Sequence, residues 1–324
     1  MKFLLHLFCL SLVAIIVTIV PVYSQTCCTG GVPLTGVLNI HALPTSGWGI
    51  SLTYDNNLIE DLIQRTEQID EDNISRFTKT LLAQIDYGIT ENITGTVLIP
   101  YVWLGQTTKT LSGEIEGKTS GLGDVLIMSQ YKKVLPNLAA LIIGLGIKLP
   151  LGATQNKDIE SGLILPATLQ PGTGSVDFLI SSQYQTSFNF RKSLSFTQTF
   201  IARVNTVSKE FAFHNTYRFG HVFQAFTAFA DQFLIAGLLQ NPSLTFRYRY
   251  AGKDIQEGFP NENTGGHWLY ITPGWAINVS QNLLVGIAGK FPLYRNLNGL
   301  QITTSRKLMA TLQFLFPGKN ELDL

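Results

Sequence analysis

Along most of the chain, apolar and polar residues alternate one by one. Leu194, Phe196, Phe200, Ala202 and Val204 fall on one face of an extended segment, with Ser195, Thr197, Thr199 and Arg203 on the other. Val176, Phe178, Ile180 and Tyr184 oppose Ser175, Asp177, Ser181 and Gln183 in the same way. Leu244, Phe246, Tyr248 and Tyr250 oppose Thr245, Arg247 and Arg249, and Leu308, Ala310, Leu312, Phe314 and Phe316 oppose Met309, Thr311 and Gln313. A helix would place its apolar residues at a period of 3.6; these runs have period two, which predicts strands. Compact turns are expected near 90–92, 135–137, 189–192, 236–241 and 280–282. Long polar or glycine-rich loops are expected at about 56–75, 105–121, 151–173, 205–219, 252–266 and 294–304. These eleven connections imply twelve strands. An even number of strands, joined alternately by short turns and long loops with both termini on the short-turn side, is the plan of a transmembrane antiparallel β-barrel.

Aromatic residues cluster at the predicted strand ends: Trp48 and Tyr54, Tyr87, Tyr101 and Trp103, Trp268 and Tyr270, Trp275, and Tyr294. Rings with an apolar body and a polar edge suit the two interfacial girdles of such a barrel. A soluble barrel could instead use them for core packing.

Composition supports the membrane reading. Of the 324 residues, 45% are hydrophobic and only 14% charged, against roughly 25% charged in ordinary soluble domains. Lys and Arg total 23 against 22 Asp and Glu, so no charge imbalance points to nucleic acid. Beyond the N-terminus the longest uncharged apolar stretch is 138–147. That is half of the ~20 residues a membrane helix needs, and about the length of a tilted membrane strand.

The N-terminus reads as a secretory signal. Lys2 precedes an apolar run over 3–22, and Val22-Tyr23-Ser24 places small residues where cleavage before Gln25 would occur. An uncleaved anchor helix is the alternative. The resulting division is a signal at 1–24, a periplasmic segment at 25–45, a barrel at 46–316 and a tail at 317–324. Cys27 and Cys28 are the candidates for a disulfide once exported. Adjacent cysteines close a strained ring, so they can also pair between chains or stay reduced. They do not make a zinc pattern.

Catalytic chemistry has little support. After the signal, the histidines are His41, His214, His221 and His267. No G-x-S-x-G occurs, and Gly172-Thr-Gly-Ser175 reads as a turn entering a strand. Gly121-Leu-Gly123 and Gly144-Leu-Gly146 lack the third glycine of a dinucleotide loop. The acidic stretch from Asp55 to Asp72 does not follow calcium-loop spacing. It is expected to be a solvated surface loop or a short helix over the barrel mouth. No catalytic, cofactor-binding or metal-binding residue is therefore expected.

Charges on the polar faces are more informative. By strand parity Lys148, Asp177, Arg203, Arg247, Arg249, Lys290 and Asp86 point into the lumen, while Asp124 can be read with either face inward. A charge facing lipid at mid-depth would cost roughly 2–4 kcal/mol, so inward placement is required whatever the function. These side chains either line a path and meet solute, or brace a narrow barrel as paired charges.

Several of these residues also carry a resemblance. Gly121-Leu-Gly-Asp124, and Gln170-Pro-Gly-Thr-Gly174 leading into Ser175–Phe178, resemble the family of outer-membrane transporters known as MetA-pathway of phenol degradation. Phe246-Arg-Tyr-Arg-Tyr250 through Asn263-Thr-Gly-Gly266, then Pro292-Leu-Tyr294 and Gly299-Leu-Gln-Ile-Thr-Thr304, are similar to its shorter exported members. The likeness covers roughly Ser46 to Phe316. It implies an outer-membrane barrel that passes small, often aromatic, molecules. Outer-membrane lipid, the barrel assembly machinery and a small-molecule solute would be the partners, with no nucleic acid and no cofactor. Two other classes stay open: a structural or surface-interaction barrel without transport, and an outer-membrane lipid-modifying enzyme.

Overall fold

The computed structural model describes Leu43, residues 45–70, 73–111, 113–159 and 161–316, and Gly318. The signal at 1–24 and Cys27 and Cys28 lie outside the described residues, as do most of 25–45 and 317–324. The first strands are β1 (Trp48–Arg65), β2 (Glu67–Ile69), β3 (Ile74–Gly88), β4 (Ile93–Thr110), β5 (Gly113–Leu122) and β6 (Val125–Leu135). There follow β7 (Ala139–Leu149), β8 (Asp177–Phe188), β9 (Arg191–Val204), β10 (Ser208–Phe211), β11 (His214–Arg218) and β12 (Val222–Ala230). The last are β13 (Phe233–Ile235), β14 (Leu238–Ala251), β15 (Ile255–Gln256), β16 (Phe259–Pro260), β17 (Gly266–Asn278) and β18 (Leu283–Phe316). No described helix is long and apolar enough to cross a membrane.

Eleven strands close a ring in which every pairing is antiparallel: β1, β3, β4, β6, β7, β8, β9, β12, β14, β17 and β18. Closure is completed where β12 meets β14 and where β18 meets β1. β18 has 34 residues, which would run about 110 Å if straight, at 3.3 Å per residue. Instead it doubles back: 284–297 pair with β17 and 297–316 pair with β1. At the base of this hairpin the Leu315 N–H donates to the Asn282 carbonyl at 2.9 Å. Counting both arms, the wall has twelve staves. β5 extends the line of β6, since β4 pairs with β6 through 93–98 and with β5 through 101–110. Above the ring, β10, β11, β15 and β16 form a small sheet from two long loops.

The alternation is oriented inside out relative to a soluble protein. On β8, Phe178, Ile180 and Tyr184 are exposed, while Asp177, Ser181 and Gln183 are buried. Apolar side chains thus face outward and polar ones inward, as a lipid surround requires. Girdles form at both ends of the wall. Trp48 and Tyr87 meet at 4.6 Å on the short-turn side, and Phe233 packs edge-on to Trp275 at 5.9 Å. Tyr101 and Trp103 meet at 4.8 Å towards the long-loop side.

The short turns fall where the alternation predicts them, but three predicted loops are strand. Residues 56–65 continue β1, 105–110 and 113–121 are the outer parts of β4 and β5, and 294–304 lie within β18. Of the acidic stretch, 55–65 and 67–69 are strand and not surface loop or helix, while Glu71 and Asp72 lie outside the described residues. Asp55 is buried on the inner face of β1 and paired with Lys307 at 2.8 Å, and Asp61 accepts from Arg295 and from Ser305. Trp268 and Tyr270 depart from the girdle expectation as well. Both are on the inner face and almost fully buried, at 0% and 2% exposure.

Candidate functional site

The inner face of the barrel gathers the candidate residues. Next to the last residue of β7 is Lys148, whose ammonium is buried between two carboxylates, 2.9 Å from Asp124 Oδ2 and 2.6 Å from Asp177 Oδ2. Asp124 stands in the break between β5 and β6, where Gly123 interrupts the alternation. It also accepts from the Gly152 and Thr173 N–H groups at 3.1 and 3.0 Å and from the Thr173 hydroxyl. Asp177 accepts from Ser175 Oγ at 2.9 Å and from the Thr206 N–H at 3.1 Å. One buried cation therefore holds together β7, β8 and the 150–176 loop. That loop folds inward: Leu165 and Leu169 pack on Val102 and Leu104, the inner residues of β4. Its path needs glycine twice, because a Cβ on Gly152 or Gly172 would overlap the other's backbone.

Beside this cluster stand the arginines of β9 and β14. Arg203 lies within electrostatic range of Arg249, Asp177, Asp124 and Asp254. The Arg249 guanidinium lies 4.5 Å over the Trp268 ring. Arg247 donates from Nη2 to Gln224 Oε1 at 2.5 Å and covers Phe226 at 5.3 Å. Lys290 lies 4.4 Å over the Tyr270 ring. Such contacts fix cations against aromatic faces without removing their N–H groups from use. Arg203 Nε and Arg249 Nη1 are buried with no hydrogen-bond partner among the described residues.

Asp254 caps this region from the loop side. It accepts from Tyr217 Oη at 2.5 Å and from the Gly220 N–H at 2.8 Å. Burial pushes its pKa up to about 6, the hydrogen bonds only partly opposing it. Burial and the neighbouring Asp254 push the Tyr217 phenol well above its usual range.

At mid-depth the inner face turns apolar. Leu82, Leu98, Leu126, Met128, Leu179, Ile201 and Phe226 form one cluster contributed by six strands, each 6% exposed or less. β7, which runs between β6 and β8, contributes Gly144 and Gly146 there. A Cβ on Gly146 would stand 2.7 Å from Met128 Cγ. Twelve staves lie between the eight whose interior side chains fill and the sixteen that leave a channel; here buried apolar side chains from six strands line the middle.

All seven predicted lumen residues lie on inner faces. Five lie towards the long-loop half and Lys290 near the middle of its arm, while Asp86 stands apart and accepts from Thr96 Oγ1 at 2.6 Å and from Gln84. Sequence reasoning missed Asp254, Trp268, Tyr270 and the apolar cluster. The register of β14 against β17, with Arg247 opposite Tyr270 and Arg249 opposite Trp268, is the signal that would have turned both rings inward. Among the described residues, His221 Nδ1 accepts from the Asn205 N–H at 3.1 Å, His267 bonds Tyr248 Oη at 2.7 Å, and His214 packs at a tilt against Phe213 and Tyr217; His41 lies outside the described residues. Among the described residues no cluster suited to a metal ion occurs.

No family model matches the chain, and no curated protein matches it. Solved structures do. An outer membrane channel from Pseudomonas putida F1 superposes with a TM-score of 0.68 at 11% identity, over 86% of this chain and 99% of that one. This chain has the fold of an outer-membrane β-barrel. The β domain of the Bordetella autotransporter BrkA gives a TM-score of 0.47 at 10% identity, over 84% of this chain and all of that one. The translocator domain of autotransporter NalP from Neisseria meningitidis gives 0.45 at 10% identity, over 85% and 90%.

Proposed function

We propose that the protein is an outer-membrane channel for passive or facilitated passage of small solutes, aromatic and other apolar ones among them. In this reading residues 1–24 direct export, the barrel inserts beside outer-membrane lipid with the help of the barrel assembly machinery, and no cofactor takes part. The observation that carries it is the buried apolar cluster that six strands contribute to the inner face at mid-depth. A constriction of Leu, Ile, Met and Phe sheds water, which disfavours bare ions and favours solutes with an apolar surface.

A structural barrel is the second reading, favoured by the inward-folded 150–176 loop and its Lys148 anchor, which occupy the lumen. Planar-bilayer recording of the refolded protein separates the two. Discrete conductance steps, reduced by added small aromatics, are expected for the channel. A folded barrel that stays silent across voltage and aromatic concentration overturns it in favour of the structural reading.

A further inference from the structure

We infer that Arg203 and Arg249 form an anion-recognition site at the edge of the apolar cluster, built for the carboxylate of a small amphipathic organic acid. The inference rests on the channel reading and names the class of solute that the lumen recognises. Both arginines are on inner faces, β9 and β14, separated by β12, where Val222 faces Arg203 on one side and Ala251 on the other. Each side chain keeps part of its surface accessible, while the unmet atoms themselves, Arg203 Nε and Arg249 Nη1, are buried, so a solute must turn the guanidinium groups to engage them.

The nearby carboxylates are already engaged. Asp124 and Asp177 share Lys148 and accept from backbone and hydroxyl donors, and Asp254 is held by Tyr217 and Gly220. The arginines are the groups left with unmet donors, Arg203 Nε and Arg249 Nη1. Leaving charged donors unmet in a low-dielectric interior is costly; the repulsion between the two guanidinium groups is offset by Asp177, Asp124 and Asp254. What an anion placed between them supplies is acceptors for the unmet donors. A carboxylate is the matched shape, because its two oxygens accept from a planar guanidinium fork. Stacking on Trp268 holds the Arg249 fork in place before the ligand arrives, which lowers the ordering cost of binding.

The second half of the ligand follows from what lies next to the arginines. Arg203 is the register partner of Leu179 and lies two residues from Ile201, both members of the apolar cluster. A molecule with its carboxylate on the guanidinium groups would place its body against these side chains. A bare inorganic anion would leave the apolar edge unused, and an uncharged aromatic would leave the donors unmet.

The test is calorimetric binding to the refolded barrel in detergent, using benzoate, benzyl alcohol and acetate as probes. Benzoate is expected to bind roughly tenfold or more tightly than either benzyl alcohol or acetate, the scale of one charge-assisted contact. Arg203→Met with Arg249→Met should erase that preference in a barrel whose circular dichroism is unchanged. Should the double variant fail to fold, Arg249→Lys keeps the charge but loses the fork, and a several-fold loss for benzoate is expected. Equal binding of benzoate and benzyl alcohol by the unaltered protein overturns the inference, as does a benzoate preference that survives in the folded double variant. Conductance is measured separately. Selective benzoate binding in an electrically silent barrel overturns the channel and leaves the site; a conducting barrel indifferent to the carboxylate does the reverse.

Discussion

The Lys148 ammonium lies 2.6 Å from the Asp177 carboxylate, with both side chains at 2% exposure or less. Asp124 completes the cluster from the opposite side, at the break between β5 and β6. Replacing Lys148 by Met would leave two buried carboxylates without their cation, a change that costs about 3–5 kcal/mol in comparable pairs. Lys148→Met is expected to lower the thermal unfolding temperature and to open the 150–176 loop to protease. The combined variant Asp124→Asn, Lys148→Met, Asp177→Asn should recover part of the lost stability, because the Lys148 site then holds no uncompensated charge, while Arg203 loses two of its anionic neighbours. Unaltered melting and proteolysis in Lys148→Met alone would show that the ion cluster does not hold the loop.

Phe226 is the aromatic member of the mid-depth cluster. Phe226→Ala removes its ring and leaves a void, at a stability cost of about 3–5 kcal/mol. If the cluster is the constriction, single-channel conductance should rise in the folded variant. Conductance equal to that of the unaltered barrel would place the narrowest point elsewhere.

Asp254 gives a pH dependence with a definite sign. Its pKa in the folded protein is about 6 against an ordinary 3.8, so the folded state holds the proton more tightly than the unfolded chain. That contribution to stability is full below about pH 4 and is lost as pH rises through about 6, by an amount on the order of 3 kcal/mol. Melting temperatures recorded between pH 4 and 7 should fall across this window. The slope should flatten in Asp254→Asn; an identical slope in the variant would assign the dependence to other groups.

Leu145 lies in the middle of β7 with its side chain 62% exposed on the outer face. Leu145→Arg would set a charge against the hydrocarbon region, at roughly 2–4 kcal/mol. The yield of folded barrel on refolding into lipid vesicles is expected to drop sharply. Full insertion would mean that this face does not meet lipid.

Much of this architecture was legible from period-two alternation, because lipid outside and polar groups inside impose it on every membrane-embedded turn of strand. The signal stops where the strands rise past the bilayer. Residues 105–110 and 113–121, rich in Thr, Lys, Glu and Gly, pair across β4 and β5 with no apolar face to record it, and so read as loop. The acidic run was misread for a related reason: Asp55 has its counter-ion at Lys307, about 250 positions along the chain. Trp268 and Tyr270 read as girdle rings because aromatic character does not say which side of a wall a residue faces. Asp124 was ambiguous because Gly123 breaks the alternation on which parity depends. The seven lumen charges needed only strand parity, whereas the apolar cluster needed depth, which follows from register across six strands.

The doubled-back β18 has a consequence for how the barrel comes to exist. Around the whole wall, each stave pairs with the one that follows it in sequence, except at the seam where Trp48 faces Phe316 and Arg65 faces Leu297. Hairpins can therefore be laid down one after another with short closure distances, and a single contact of very high sequence separation remains for the end. Until the second arm of β18 arrives, β1 offers an open edge of unpaired amides and carbonyls, a template for another chain. The time spent waiting for that one clasp is the interval in which this protein is most vulnerable to aggregation.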